Sequence, residues 1–232
     1  MHITTMQFDV QWERPHDNLD TVAMMLNTAP PPRFGLVVLP EMFATGFSMN
    51  PAATLPYADE VLKFLSHSAK LYNTSILAGV AMMSDGAPRN MAVLVGPDGD
   101  VEFTYAKRNL FTPAGEECTY SAGTRPGVFE FEGKTCCVAI CYDLRFDDIF
   151  AEAKAAGVEI FFIIANFPAV RREDWNRILV ERAIENQAHV IGVNRIGHDP
   201  NEAYAGDSVI LGPDGAILDS ANDQAAILTI SL

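Results

Sequence analysis

Three side chains able to do chemistry stand at the ends of expected strands. Cys141 closes the run Cys136-Cys137-Val138-Ala139-Ile140 and is followed at once by Tyr142-Asp143-Leu144-Arg145. Glu41 follows Leu36-Val37-Val38-Leu39 and Pro40, and Lys107 follows the stretch 100–105. A thiolate is a strong nucleophile, a carboxylate beside it can supply that thiolate on demand, and an ammonium can hold the oxyanion of a reacting carbonyl. Taken singly, each has a plainer reading. Cys141 would be one more packed thiol, Glu41 a strand-end carboxylate reaching solvent, and Lys107 a solvated charge. Together they describe nucleophilic acyl chemistry, with the N–H of Tyr142 as a further oxyanion donor.

Positioning them is a matter of the elements they terminate. Uninterrupted apolar runs of four to six residues, as at 36–39, 136–140 and 160–164, fit strands buried on both faces. Strands are expected at 2–9, 36–39, 74–82, 90–95, 100–105, 127–131, 135–141 with Cys141 as its last residue, 160–164, 188–193, 207–211, 216–219 and 225–230. Helices are expected after an Asp17-Asn18 N-cap up to Pro30-Pro31-Pro32, and at about 57–71, 146–156 and 171–187. The order β-α-β-α-β-β-β, then β-β-α-β-α-β-β-β, is that of an α/β chain with helices layered on sheets. In such sheets the ligand crevice lies beyond the C-terminal strand ends, which here carry Glu41, Cys141, Asn166 and Asn194. The turn Gly96-Pro97-Asp98-Gly99 recurs as Gly212-Pro213-Asp214-Gly215, hinting at two similar halves. The apolar loop 42–49, with Phe47, reads as a pocket lining.

At 232 residues and 49% hydrophobic the chain fits one large domain, 1–232, with a sizeable core. A net charge of −14 argues against nucleic-acid or anionic-membrane partners, which need a basic face. No apolar run approaches a membrane span, and residues 1–7 lack the layout of a secretion signal, so a cytoplasmic protein is expected. Four cysteines, two of them adjacent, make no disulfide framework. No histidine pair sits at ligand spacing, so neither metal nor cofactor is expected and the chemistry falls to side chains. A nucleotide-binding module would need a glycine-rich strand–helix turn, which the sequence lacks.

The blocks Leu39-Pro40-Glu41-Met42-Phe43, Tyr105-x-Lys107-Arg108-x-Leu110-Phe111 and Ile140-Cys141-Tyr142-Asp143-Leu144-Arg145-Phe146 resemble the three signature blocks of the nitrilase superfamily of carbon–nitrogen hydrolases. Ala165-Asn166-Phe167-Pro168, Arg182 to Gln187 and Asn194-Arg195 make the chain similar to the omega-amidase branch. The resemblance implies a four-layer α-β-β-α sandwich, a homodimer, and hydrolysis of the terminal amide of 2-oxoglutaramate or 2-oxosuccinamate through a thioester. It makes Glu41 the general base, Lys107 the oxyanion-side cation and Cys141 the nucleophile. Glu116 would be the second glutamate, with Glu117 beside it as the alternative. Substrate contacts are expected from Phe47, Tyr142, Arg145, Asn166, Phe167 and Arg172, and Arg145, Arg171, Arg172 and Arg195 are the candidate grips for the distal keto acid. Two departures stand out. Asp147-Asp148 replace the proline usual after Arg-Phe, adding negative charge near the expected mouth, and the chain ends at Leu232, where many relatives carry a further segment packed against the partner. A deaminated-glutathione amidase, an N-carbamoyl amino acid hydrolase, and a non-catalytic binder on the same fold are the alternatives.

Overall fold

The computed structural model describes residues 1–232. In chain order the main elements are β1 (His2–Gln7), α1 (Pro15–Thr28), β2 (Leu36–Val38), α2 (Pro51–Thr54), α3 (Ala58–Tyr72), β3 (Ser75–Ser84), β4 (Ala87–Val95), β5 (Val101–Ala106), β6 (Val128–Phe131), β7 (Lys134–Ile140), α4 (Asp147–Ala155), β8 (Ile160–Ile164), α5 (Arg172–Asn186), β9 (His189–Val193), β10 (Ile196–His198), β11 (Ala203–Ala205), β12 (Val209–Leu211), β13 (Ile217–Ser220) and β14 (Ala226–Ser231). They form two six-stranded sheets, β14-β1-β2-β3-β4-β5 and β13-β12-β9-β8-β7-β6, and a small β10-β11 hairpin.

Pleating explains the layering, since successive side chains on a strand face opposite ways. Val37 and Leu39 pack with Val22 and Leu26 of α1 and Val61 and Leu65 of α3, on the outer face of the first sheet. Leu36 and Val38 turn the other way and join a cluster with Val138, Phe162 and Ile191 of the second sheet. The same cluster takes in Ile149 and Ala153 of α4 and Trp175, Leu179 and Ala183 of α5. Phe103 on β5 stacks on Phe129 on β6 across the two sheets, with ring centroids 5.0 Å apart. The result is the four-layer α-β-β-α sandwich.

Each sheet has three parallel strands at its centre, β1-β2-β3 and β7-β8-β9, flanked by antiparallel neighbours. The hairpin β4-β5 turns at Gly96-Pro97-Asp98-Gly99 and β12-β13 at Gly212-Pro213-Asp214-Gly215. Both carry a register shift just before the turn, at Leu94/Val95 and Ile210/Leu211. The recurrent turn therefore marks a real structural repeat.

Several boundaries differ from expectation. Helix α1 starts at Pro15, whose fixed φ suits a first helical position, and not after an Asp17-Asn18 cap. Asn18 is buried inside the helix, where its amide ties Gln11 N–H, Gln11 O and Ala44 O. Strand β3 runs on to Ser84 and β4 begins at Ala87, because Asp85-Gly86, both at positive φ, make a tight hairpin turn. The short helix α2 and the β10-β11 hairpin have no periodic signal long enough to show in sequence.

Gly79 on β3 lies against the turn that carries Glu41. A Cβ there would overlap Glu41 Cα and Met42 N, so the absence of a side chain lets the two backbones meet. We expect Gly79→Ala to lower the urea-unfolding free energy by about 1–3 kcal/mol and to reduce activity in the folded fraction. Unchanged stability and unchanged activity would show that this contact does not set the position of Glu41.

Candidate active site

Glu41 follows β2 after Leu39 and Pro40, Lys107 follows β5, and Asn90 lies beside it on β4, where Lys107 N–H donates to Asn90 O at 2.9 Å. Lys107 Nζ sits 2.9 Å from Glu41 Oε1 and 2.9 Å from Glu116 Oε2, and all three side chains are fully buried. Asn90 Nδ2 bridges the same two acids, donating to Glu41 Oε1 at 2.8 Å and Glu116 Oε1 at 2.9 Å. Glu41 Oε2 accepts from Asn166 N–H at 2.8 Å, and Glu116 Oε2 from Phe111 N–H at 2.6 Å. Glu117 is exposed, so Glu116 is the glutamate that meets the lysine.

Charges this deep persist only when paired and hydrogen-bonded. Burial alone would strip the proton from Lys107, but Glu41 and Glu116 outweigh it and hold the ammonium above its ordinary range. Burial pushes Glu116 upward, against the pull of Lys107. Two of the three ammonium donors are spent on carboxylates, and the ring of Phe47 lies over Nζ with its centroid at 4.9 Å.

Cys141 is the first residue of a short turn, 141–145, and not the last of the strand as expected; β7 stops at Ile140. Its φ is +49°, a left-handed conformation rare for a residue with a side chain and typical of strained functional positions. This sharp elbow turns Sγ out of the sheet, 3.8 Å from Asn166 O. The N–H of the same Asn166 holds Glu41, so sulfur and carboxylate converge on one residue. Burial, then the charge of Glu41, holds the Cys141 thiol well above its ordinary value of 9.0, although Lys107 opposes them. The resting group is therefore a thiol, and its proton must leave as sulfur reacts.

A cavity of about 630 Å³ opens beside Cys141. Its lining includes the expected Phe47, Tyr142, Arg145, Asn166 and Phe167, and also Trp12, Phe111, Arg171 and Tyr204. Arg145 lines it while bonded to Asp174 at 2.7 Å. Arg172, placed in the candidate site from sequence, is paired with Asp207 and does not reach the cavity. Its neighbour Arg171 does: it stacks 4.9 Å from the Phe111 ring and makes no ion pair. One residue's difference at the start of α5 decides which guanidinium faces the cavity, a distinction no spacing argument makes. Arg195 is fully buried behind the wall, stacked 4.3 Å from the Tyr204 ring and 3.3 Å from Asp9. Asp147 and Asp148 are not at the mouth either; they pair with Arg182 and Arg108.

Asn90, Trp12 and Tyr204 escaped the sequence reading. An amide at the head of the apolar run of β4 was the available signal for Asn90; Trp12 sits in a turn and Tyr204 in the three-residue strand β11, and neither is long enough to offer one.

The family profile of carbon–nitrogen hydrolases matches residues 3–232. Omega-amidase YafV of Escherichia coli (strain K12) is 38% identical over 192 residues, spanning 82% of this chain and 74% of that protein. A 2-oxoglutaramate amidase of Bacillus subtilis (strain 168) is 30% identical over 229 residues, spanning 97% and 88%. The crystal structure of XC1258 from Xanthomonas campestris, a CN-hydrolase superfamily protein with an arsenic adduct in its active site, is 26% identical. It superposes with a TM-score of 0.87 over 99% of this chain and 89% of that one.

A thiol raised by burial keeps its proton in the native state at a pH where the unfolded chain has lost it. The alkylation rate of native Cys141 by iodoacetamide is thus expected to keep climbing through pH 9.0, while urea-unfolded protein levels off near that value. The same difference in proton uptake lowers native stability as pH rises past 9.0. A native plateau below pH 8 would contradict the buried-thiol picture.

Proposed function

The chain belongs to the carbon–nitrogen hydrolase family and is a hydrolase acting on amides, and from that footing we propose that it hydrolyses the terminal amide of a small α-keto acid amide, 2-oxoglutaramate or 2-oxosuccinamate, through a thioester on Cys141. The observation that carries this reading is a guanidinium free of any ion pair, Arg171, lining the same cavity as Cys141, whose sulfur meets Asn166 as does the Glu41 carboxylate of the buried Glu-Lys-Glu triplet.

In this mechanism Glu41 takes the thiol proton as sulfur attacks the amide carbon. Coupling the two events avoids a free thiolate, which burial makes costly. The carbonyl oxygen becomes an oxyanion facing the remaining donor of Lys107 and the N–H of Tyr142. Such donors contribute about 3–4 kcal/mol each, and the proton transfers about 10²–10⁴-fold. As the C–N bond breaks, Glu41 passes its proton to the leaving nitrogen and ammonia departs. Glu41 then takes a proton from water, whose oxygen attacks the thioester; the C–S bond breaks and sulfur recovers a proton. Glu116 and Asn90 hold Lys107 and Glu41 in register throughout.

Charge around the cavity supports a substrate with one carboxylate. Arg145 is already shared with Asp174, which leaves Arg171 as the cation for that carboxylate. Phe47, Phe111, Tyr142 and Phe167 surround the space left for a short acyl chain. A second carboxylate, as in deaminated glutathione, would meet Glu13, Asp199 and Glu202, which line the same cavity. The relatives named omega-amidase and 2-oxoglutaramate amidase agree with this choice.

Ammonia release from 2-oxoglutaramate, 2-oxosuccinamate, deaminated glutathione, carbamoyl amino acids and an uncharged aliphatic amide tests the reading. The keto acid amides are expected to lead, Cys141→Ala to abolish turnover, and Arg171→Gln to raise KM for 2-oxoglutaramate at least about tenfold while sparing the uncharged amide. If 2-oxoglutaramate ranks last, the substrate assignment is wrong. Turnover surviving Cys141→Ala would support a role for the fold without the thioester.

A further inference from the structure

One fully buried carboxylate has no part in the chemistry above. Asp143 lies two residues after Cys141, and its oxygens accept four hydrogen bonds. Oδ2 takes Ile140 N–H at 3.0 Å and Tyr105 O–H at 2.8 Å. Oδ1 takes Asn109 N–H at 2.8 Å and Asn109 Nδ2 at 3.0 Å. All four partners are donors, which suits an ionised carboxylate and leaves it no spare capacity.

The placement of those donors matters more than their number. Tyr105 and Asn109 flank Lys107 on the segment leaving β5, and Ile140 immediately precedes the nucleophile. Asp143 is therefore a direct tie between the strand end that holds the ammonium and the elbow that holds the sulfur. The elbow needs such a tie, since Cys141 sits at φ +49° and a strained conformation persists only when its surroundings over-determine it. The other end of the turn is held separately, by Arg182 Nε donating to Leu144 O at 3.1 Å.

We infer that Asp143 is a positioning residue: its carboxylate locks the elbow so that Cys141 Sγ and Tyr142 N–H stand in register with Lys107. This rests on the reading of Cys141 as the nucleophile. Without the tie the elbow relaxes toward ordinary backbone, Sγ shifts relative to the oxyanion donors, and the chemical step slows while the cavity that binds substrate is unchanged. Burial without a second role would instead make Asp143 a fold residue whose loss lowers stability and nothing else.

The test is steady-state kinetics with the amide that proves best in the panel, alongside melting curves and iodoacetamide titration of Cys141. Asp143→Asn keeps the size and shape of the side chain, and the Tyr105 hydroxyl can turn to accept from the new amide, while Ile140 N–H loses its acceptor. We expect kcat to fall about 100-fold, KM to stay within about threefold, and Cys141 to remain fully titratable but slower to alkylate. Tyr105→Phe and Asn109→Ser each remove one donor and keep the carboxylate. Each is expected to lower kcat roughly five- to tenfold at constant KM, and these two variants carry the test if Asp143→Asn does not fold. An unchanged kcat in the folded variants, or a loss that tracks only the unfolded fraction, overturns the inference. Cys141→Ala separates the two levels. If it retains turnover, the nucleophile reading fails and this inference with it; if it is inactive while Asp143→Asn, Tyr105→Phe and Asn109→Ser keep full kcat, only the inference about Asp143 fails.

Discussion

A lysine ammonium cut off from water must be met by carboxylates, and Lys107 is met by two, each 2.9 Å away. The desolvation cost of three buried charges is several kcal/mol per ion, and the geometry repays it only because every oxygen is also hydrogen-bonded to Asn90, Asn166 or Phe111. Removing Lys107 would leave two buried carboxylates uncompensated, and breaking a buried pair in this way costs about 3–5 kcal/mol. Such an arrangement is costly as a stability device and better explained as preorganisation. In the proposed mechanism it keeps a base and an oxyanion donor fixed before substrate arrives.

The sandwich exists around this triplet in a literal sense. Glu41 and Lys107 come from the first sheet, and Cys141 and Asn166 from strand ends of the second. Glu116 comes from the loop that crosses between them. The backbone of Asn166 is where the halves join, its N–H on Glu41 and its carbonyl near Cys141 Sγ. Gly79 lets β3 press against the Glu41 turn, and Asp143 ties the elbow to the strand end that carries Lys107. Positions far apart in the chain are thereby fixed by rigid strands, with only short turns left to err.

Much of this was legible in the residues. Apolar runs ahead of Glu41 and Cys141 foretold buried strands whose ends bring the two side chains together, as they are at Asn166, because a strand buried on both faces has no alternation to hide a charge in. The repeated Gly-Pro-Asp-Gly turn foretold two similar halves, and the strand order bears it out. What was not legible depends on rotation and on single bonds. Arg171 and Arg172 are adjacent and chemically identical, and only the start of α5 sends one to the cavity and the other to Asp207. Asp147 and Asp148 looked like charge at the mouth but are neutralised by Arg182 and Arg108. The positive φ of Cys141 and the bridging by Asn90 are tertiary outcomes that no local propensity encodes.

The central claim is that the buried triplet serves a covalent step at one sulfur. Single-turnover mixing of excess enzyme with 2-oxoglutaramate, followed by acid quench and peptide mass spectrometry, tests it most directly. The peptide containing Cys141 should transiently carry the substrate's mass less ammonia, and Glu41→Gln should not form that adduct on the same time scale. Product formed at the full rate with no acyl group on Cys141 at any quench time, or an acyl group on Cys118, Cys136 or Cys137 instead, would contradict it.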